Sequence, residues 1–170
     1  MMLNRQSESL VREKLSHTPA VVLLGPRQVG KTTLAKKIAA TWPTPATYLD
    51  LERPADKQRL QDADTYLRSK NEQLIILDEI HRSPAIFEIL RGIIDERRSA
   101  GQTAGHFLLL GSASLDLMQQ SSETLAGRVA YLEISPFSVT EARAHLIESD
   151  QVWIRGGFPN SLLANHAKVS

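Results

Sequence analysis

The sequence predicts an α/β fold with a parallel sheet of five strands, and three observations support this prediction. Short apolar runs alternate with stretches of helical periodicity, which is the pattern of parallel sheets. The pattern G-x-x-x-x-G-K-[ST], typical of a phosphate-binding loop, occupies residues 25–32 between the first predicted strand and a predicted helix. Polar residues follow several of the predicted strands. In a parallel sheet the carboxyl ends of the strands lie at the same edge, and ligands bind there.

The first half of the chain predicts two strands and three helices. A helix over residues 7–15 precedes a buried strand at residues 20–24, and the helix of residues 33–40 follows the phosphate loop. A second strand is predicted at residues 47–51. Pro54 then starts one polar helix that extends through Leu60, Ala63 and Leu67.

The second half predicts three further strands, at residues 73–77, 106–110 and 129–134. The run at residues 73–77 does not alternate, as expected of a strand that is buried on both faces. Ser83 and Pro84 are an N-cap and first-turn pair for a helix whose apolar face holds residues 86, 90, 93 and 94. Residues 138–141 form a capping box for a helix through Ala142, Leu146 and Ile147.

Composition limits the classes of function. A net charge of +1 favours neither nucleic acid nor a membrane surface as partner. The absence of cysteine excludes disulfides, thiolate catalysis and cysteine–zinc sites, and it fits a cytoplasmic location. The apolar runs are far shorter than the ~20 residues that span a membrane, and the charged first residues are not a secretory signal.

The phosphate loop predicts a nucleotide site. Gly25 and Gly30 allow a tight turn that brings backbone N–H groups to phosphate oxygens, and Lys31 places a positive charge near the terminal phosphates. The Thr32 hydroxyl is predicted to be a ligand for Mg²⁺. The predicted nucleotide-binding residues are Gly25, Pro26, Arg27, Gln28, Val29, Gly30, Lys31, Thr32 and Thr33.

An acidic pair at the end of the third predicted strand complements the loop. Asp78 is the predicted partner of Thr32 in holding Mg²⁺. Glu79, one residue further, is predicted to orient the attacking water. The alternative is that both carboxylates simply enter solvent at the end of the strand.

Two further residues are candidates for catalysis. Ser112, after the fourth strand, is predicted to hydrogen-bond the γ-phosphate or the water, with Ser114 as a weaker candidate and an ordinary turn as the alternative. Arg128, before the fifth strand, is predicted to stabilise transition-state charge; a surface salt bridge is the alternative. Arg155 is a further candidate for reaching the nucleotide from a second small domain.

The ordered set of motifs resembles the AAA+ branch of P-loop ATPases. It resembles more closely a widespread group of predicted bacterial and archaeal AAA+ ATPases, whose full chains continue into an uncharacterised C-terminal domain. The matching motifs are GPRQVGKTT at residues 25–33, YLDLERP at 48–54, LIILDEIHRSP at 74–84, LLLGSAS at 108–114, LAGRV at 125–129, ISPFSVTEA at 134–142 and RGGFP at 155–159.

The resemblance implies a three-layer α/β/α fold with strand order 5-1-4-3-2, a nucleotide-binding core over residues 1–135 and the start of a truncated helical lid over residues 136–170. It implies that Asp78 and Glu79 are the Walker B pair and Ser112 the sensor, although that position usually holds Asn or Thr. It places Arg128 where these proteins carry an arginine finger, which often serves a neighbouring subunit of an oligomer. The expected activity is Mg-dependent ATP hydrolysis coupled to conformational change. Only the resemblance favours ATP over GTP.

Three alternatives remain from the sequence. Asp78, Glu79 and His81 also resemble the D-E-x-H box of superfamily-two helicases, although a second motor domain does not fit in 170 residues. A small-molecule kinase would need an acceptor-binding lid and further basic residues. A nucleotide-gated interaction module would bind ATP and hardly hydrolyse it.

Overall fold

The computed structural model describes residues 5–112 and 123–164. The strands are β1 (Ala20–Leu24), β2 (Ala46–Asp50), β3 (Leu74–Asp78), β4 (Phe107–Leu110) and β5 (Val129–Glu133). The helices among these residues are α1 (Gln6–His17), α2 (Lys31–Ala40), α3 (Pro54–Arg59), α4 (Ala63–Ser69), α5 (Ile86–Ser99), α6 (Val139–Arg143), α7 (Ser149–Arg155) and α8 (Pro159–Leu162), and a 3₁₀ turn covers Ile80–Arg82.

The five strands form one parallel sheet in the order β2-β3-β4-β1-β5, which confirms the predicted order. In the register between β1 and its neighbours, Leu23 lies opposite both Leu110 of β4 and Leu132 of β5. Asp50 at the end of β2 lies opposite Asp78 at the end of β3. The segments after β1, β3 and β4 therefore start from the same edge of the sheet.

Helices cover both faces of the sheet, because successive side chains of a strand point to opposite sides. On β1, Val22 belongs to a buried apolar cluster with α5, whereas Val21 and Leu23 belong to a second cluster with α1 and α2. The four residues predicted to share the apolar face of α5 are all buried: Ile86, Leu90, Ile93 and Ile94. Burial of each such side chain contributes about 2 kcal/mol to the stability of the fold.

Three predicted features of the helices are wrong. The single helix predicted from Pro54 is two helices, because Asp62 accepts a hydrogen bond from the Thr65 amide and starts α4 anew. Ser83 is not an N-cap: it ends the 3₁₀ turn, and α5 begins at Ile86. Leu146 has a left-handed backbone and a 93% exposed side chain, so it lies beyond α6 rather than on a buried face.

The region after Pro136 has a small apolar cluster of its own, formed by Phe137, Ala142 and Leu162. The predicted capping box is present at its start: Glu141 N donates to Ser138 Oγ, and Ser138 N donates to the Glu141 carboxylate. Gly157 packs so closely here that a Cβ would lie 2.3 Å from the Phe137 carbonyl oxygen. Within the described ranges, no helix is long and apolar enough to cross a membrane.

Candidate nucleotide site

The phosphate loop connects β1 to α2 by a route that its two predicted glycines explain. A Cβ on Gly25 would lie 2.4 Å from the carbonyl oxygen of Ile134, so only glycine fits against the end of β5. Gly30 has a φ of 101° and is the residue from which α2 begins. Val29 is fully buried in the core and anchors the loop between these two glycines.

Lys31 lies inside the loop that it is expected to serve. Its Nζ donates to the carbonyl oxygens of Gly25, at 2.7 Å, and Pro26, at 2.8 Å. Burial lowers the pKa of Lys31, while the charges of Glu79 and Asp78 act in the opposite direction. The ammonium group is therefore held at the loop by two neutral acceptors, and the two carboxylates at the end of β3 favour its charged form.

Asp78 and Thr32 meet as predicted for a shared magnesium site. The Thr32 hydroxyl donates to Asp78 Oδ2 at 2.7 Å, and Asp78 is only 4% exposed. Among the described residues, no group of three or more His, Cys, Asp or Glu side chains forms a metal site. One carboxylate and one hydroxyl suit Mg²⁺, which keeps waters and takes its remaining ligands from substrate phosphates.

Two contacts of Asp78 were not foreseen from the sequence. The Tyr48 hydroxyl, on the neighbouring strand β2, donates to Asp78 Oδ2 at 2.6 Å. The Glu79 amide donates to Asp78 Oδ1 at 3.0 Å. Burial and the hydrogen bond to Asp78 raise the pKa of Tyr48, so the Tyr48 hydroxyl keeps its proton and acts as a donor.

Glu79 has the left-handed backbone that is uncommon for a residue with a side chain, at φ 54° and ψ 45°. This conformation ends β3 and begins the 3₁₀ turn, and it directs Glu79 to the same cavity as Lys31 and Thr32. That cavity has a volume of about 450 Å³. Its lining residues are Arg27, Gln28, Gly30, Lys31, Thr32, Thr33, Glu52, Glu79, Pro159 and Asn160.

A second, more apolar cavity of about 190 Å³ adjoins the first and shares Gly30, Thr33 and Pro159 with it. Its other lining residues are Arg5, Glu8, Val29, Leu34, Lys37, Phe137 and Leu163. The Arg5 guanidinium lies 4.0 Å from the centre of the Phe137 ring. Only the phosphate loop contributes a local motif to this cavity, because the rest of its lining comes from the first residues of the chain, from α2 and from segments after Pro136.

The remaining predicted residues lie apart from the loop or contact other groups. Ser112 follows β4 at the correct edge, since Gly111 N donates to Leu23 O at the end of β1. Ser114 falls outside the described residues. The Arg155 guanidinium donates to the carbonyl oxygens of Leu162 and Ala164, and it does not line either cavity.

Arg128 lies at the amino ends of the strands, whereas the phosphate loop lies at their carboxyl ends. Arg128 precedes Val129, which is opposite Ala20 at the start of β1, whereas the phosphate loop follows the other end of β1. Five strand residues span about 16 Å. The guanidinium forms a bidentate ion pair with Asp95 of α5, at 2.7 and 2.9 Å, so Arg128 does not join its own chain's phosphate site.

Comparisons with known proteins agree with this architecture. Solved structures similar to the chain include a Walker-type ATPase of Pyrococcus abyssi, with a TM-score of 0.60 and 14% identity over 95% of this chain and 65% of that one. The Aeropyrum pernix ORC1 protein in complex with DNA gives a TM-score of 0.55 and 15% identity, over 92% of this chain and 55% of that one. At these identities the likeness concerns the fold alone.

The sequence relatives are the uncharacterised proteins Mb2031c of Mycobacterium bovis and Rv2008c of Mycobacterium tuberculosis, each 39% identical over 160 residues. The match covers 94% of this chain and 34% of each relative, so the chain spans about a third of their length. A family model described as "AAA domain" matches residues 17–143. This match covers the phosphate loop, the acidic pair and all five strands, and the chain therefore belongs to the AAA domain family of P-loop ATPases.

Proposed function

We propose that the chain binds Mg·ATP at the phosphate loop and hydrolyses it to ADP and phosphate. The observation that supports this most directly is the hydrogen bond between Thr32 and Asp78, because it joins the two groups that we propose to share one magnesium ion. Membership of the AAA domain family favours this function over the helicase and kinase alternatives.

In the proposed reaction the chain's own groups position ATP and the water. Lys31 exchanges its two carbonyl acceptors for phosphate oxygens, and the loop N–H groups hold the remaining oxygens. Glu79, at the rim of the cavity, orients the water for in-line attack on the γ-phosphorus. Magnesium held by Thr32 and Asp78 would neutralise charge on the phosphates. Ser112 is the proposed hydrogen-bond donor to the γ-phosphate.

The contact between the phosphate loop and α8 supports the proposed coupling of nucleotide state to conformation. Pro159 of α8 lines the same cavity, and the Cγ of Pro159 lies 3.7 Å from where a Cβ of Gly30 would be. We propose that residues 136–170 begin a lid that closes on the nucleotide, and that residues 1–135 form the core. The separate apolar cluster around Phe137 supports this division.

The test of nucleotide binding and hydrolysis uses two variants of the full chain. Lys31→Ala is expected to abolish detectable ATP binding in calorimetry, whereas Glu79→Gln is expected to bind ATP and lose about 100-fold or more in turnover. Lys57→Ala, an exposed lysine on α3, is the control and should behave as wild type. Unaltered affinity in Lys31→Ala would refute the site. Equal, near-zero turnover in wild type and Glu79→Gln with intact binding would favour the interaction module.

We propose that the apolar cavity holds the base of the nucleotide. Leu163, 42% exposed at its edge, can be truncated with little effect on the fold. Leu163→Ala is expected to lower ATP affinity about five-fold, the effect of losing ~1 kcal/mol of apolar contact, and to leave tripolyphosphate affinity unchanged. Leu146→Ala, in the same region and 93% exposed, is the matched control. Equal losses for both ligands would contradict this assignment.

A further inference from the structure

His81 and Glu79 face one another across the 3₁₀ turn that follows β3. His81 Nδ1 lies 3.2 Å from Glu79 Oε2. Both atoms are inaccessible to water, and neither has a hydrogen bond of good geometry among the described residues. The rest of each side chain is partly open: the exposed fractions are 26% for His81 and 22% for Glu79.

A hydrogen bond from His81 to Glu79 accounts for this pairing. A buried carboxylate oxygen is unfavourable when it has no hydrogen-bond donor, and the ring nitrogen of His81 is the group placed to supply one. A distance of 3.2 Å is at the long end of the range for an N–H···O bond. A small rotation of either side chain forms that bond when Nδ1 carries the proton.

The local backbone holds the two side chains in this relation. Glu79 has a left-handed conformation, and the turn that follows it is closed by hydrogen bonds from Arg82 N to Glu79 O and from Ser83 N to Ile80 O. Ile80, between the two residues, is fully buried and fixes the turn in the core. The backbone of this turn therefore places the two side chains close to one another.

We propose that His81 is a positioning residue for Glu79. Its Nδ1–H holds Oε2, and this leaves the other carboxylate oxygen of Glu79 to orient the attacking water in the cavity that Glu79 lines. One oxygen fixes the carboxylate and the other acts on the water. This inference rests on the proposed function for its consequence in turnover, but the contact itself is tested separately below.

The kinetic test compares variants that remove or replace the donor. His81→Ala is expected to lower kcat about 10-fold to 100-fold, as for other groups that orient a catalytic ligand, with the KM and dissociation constant for ATP unchanged. His81→Asn, whose side-chain amide places an N–H near the position of Nδ1, should recover most of the loss. His17→Ala, an exposed histidine at the end of α1, is the control. Wild-type kcat in His81→Ala would overturn the proposal.

A double-mutant cycle asks whether His81 acts through Glu79. In the Glu79→Gln background, His81→Ala should cause no further loss of turnover, since the group that it positions is already gone. A full further loss in that background would show that His81 acts elsewhere and would overturn the proposal.

A spectroscopic test decides the contact even if the protein has no turnover. Long-range ¹⁵N correlation spectra of the histidine rings are recorded at pH 7.5, and the His81 signals are assigned by their absence in His81→Asn. We expect a proton on Nδ1 in wild type and its loss from Nδ1 in Glu79→Ala. A proton on Nε2 alone in wild type would overturn the proposal. Absent turnover together with a protonated Nδ1 would instead contradict only the proposed hydrolysis.

Discussion

The Asp78 carboxylate is already surrounded by donors from its own chain. Thr32 and Tyr48 donate to one oxygen and the Glu79 amide donates to the other. A carboxylate held in this way would lose little further freedom on binding a metal, which suits the magnesium role proposed for it above. If magnesium bound here as proposed above, the Thr32 hydroxyl would be one of its ligands, and Tyr48 would be the side chain that continues to hold Asp78.

Removing the Tyr48 hydroxyl tests this role. Tyr48→Phe keeps the ring and deletes the donor, so it should weaken magnesium-dependent ATP binding about 10-fold, within the range for groups that orient metal ligands. The measurement is the magnesium concentration that gives half-maximal ATP binding in calorimetry. Tyr66→Phe, on α4 and outside the cavity, is the matched control. The same magnesium dependence in Tyr48→Phe and wild type would contradict a positioning role.

At the scale of residues, the sequence predicts what a continuous motif encodes and misses what the sheet register creates. The roles expected of Lys31, Thr32 and Asp78 follow from local patterns, and their side chains do lie together. Tyr48 reaches Asp78 only because β2 pairs with β3 in a register that places Tyr48 opposite Ile76. No local pattern contains that information.

Among the elements, the strands were predicted more accurately than the helices after them. Each predicted strand lies within one residue of its observed bounds, since buried apolar runs are a strong signal. The single helix predicted over residues 54–67 is two helices in the structure. The Asp62 side chain caps the second helix, although the apolar spacing continues across the break. Leu146 fits the apolar spacing of the predicted helix, but the helix ends before it. Periodicity alone does not show where a short helix stops.

His106, directly before β4, makes the stability of this element depend on pH. Burial lowers its pKa, and the nearby Arg97 acts in the same direction, although the Gln102 carbonyl opposes them. Above the ordinary value of about 6.5, both the folded and unfolded states are neutral here. As the pH falls below this value, His106 takes up a proton in the unfolded chain more readily than in the folded chain. The contribution of neutral His106 to the free energy of unfolding therefore decreases until the pH reaches its lower pKa in the folded state.

We therefore expect the urea midpoint of wild type to fall between pH 7.5 and pH 5 more steeply than that of His106→Gln. The glutamine amide can keep a hydrogen bond to the Gln102 carbonyl without titrating. His17→Gln, an exposed histidine at the end of α1, should retain the wild-type slope. Parallel slopes for wild type and His106→Gln would show that burial of His106 does not influence the stability of the chain between these pH values.

At the scale of the whole molecule, the sheet separates two groups of charged residues. Lys31, Asp78 and Glu79 lie at the carboxyl edge, whereas Arg128 lies at the amino edge, paired with Asp95. The general rule for parallel sheets was enough to predict the first group. Arg128 was predicted from its place before the fifth strand and from the motif order, and its ion pair with Asp95 at the amino ends of the strands keeps it away from its own chain's phosphate loop.

Arg128 either serves only the ion pair with Asp95 or acts on a second copy, and we propose it as the arginine that completes a neighbouring site. The ion pair with Asp95 raises the pKa of Arg128 and lowers that of Asp95, and it holds the guanidinium in a defined place at the surface. Arg128→Ala alone should lower turnover by about 10³-fold, as for other arginines supplied to a neighbouring phosphate, without altering ATP affinity.

Mixing two inactive variants separates this proposal from a purely structural role. Arg128→Ala retains a complete set of loop and acidic residues, and Glu79→Gln retains the arginine. If the guanidinium acts across an interface between copies, the mixture should regain turnover that neither variant has, with a maximum at an intermediate ratio. Arg98→Ala, an exposed arginine of α5 that contacts the Gly127 carbonyl, controls for a loss of charge or local structure near Arg128. Additive behaviour at every ratio, at protein concentrations that show association of wild type, would restrict Arg128 to the ion pair with Asp95.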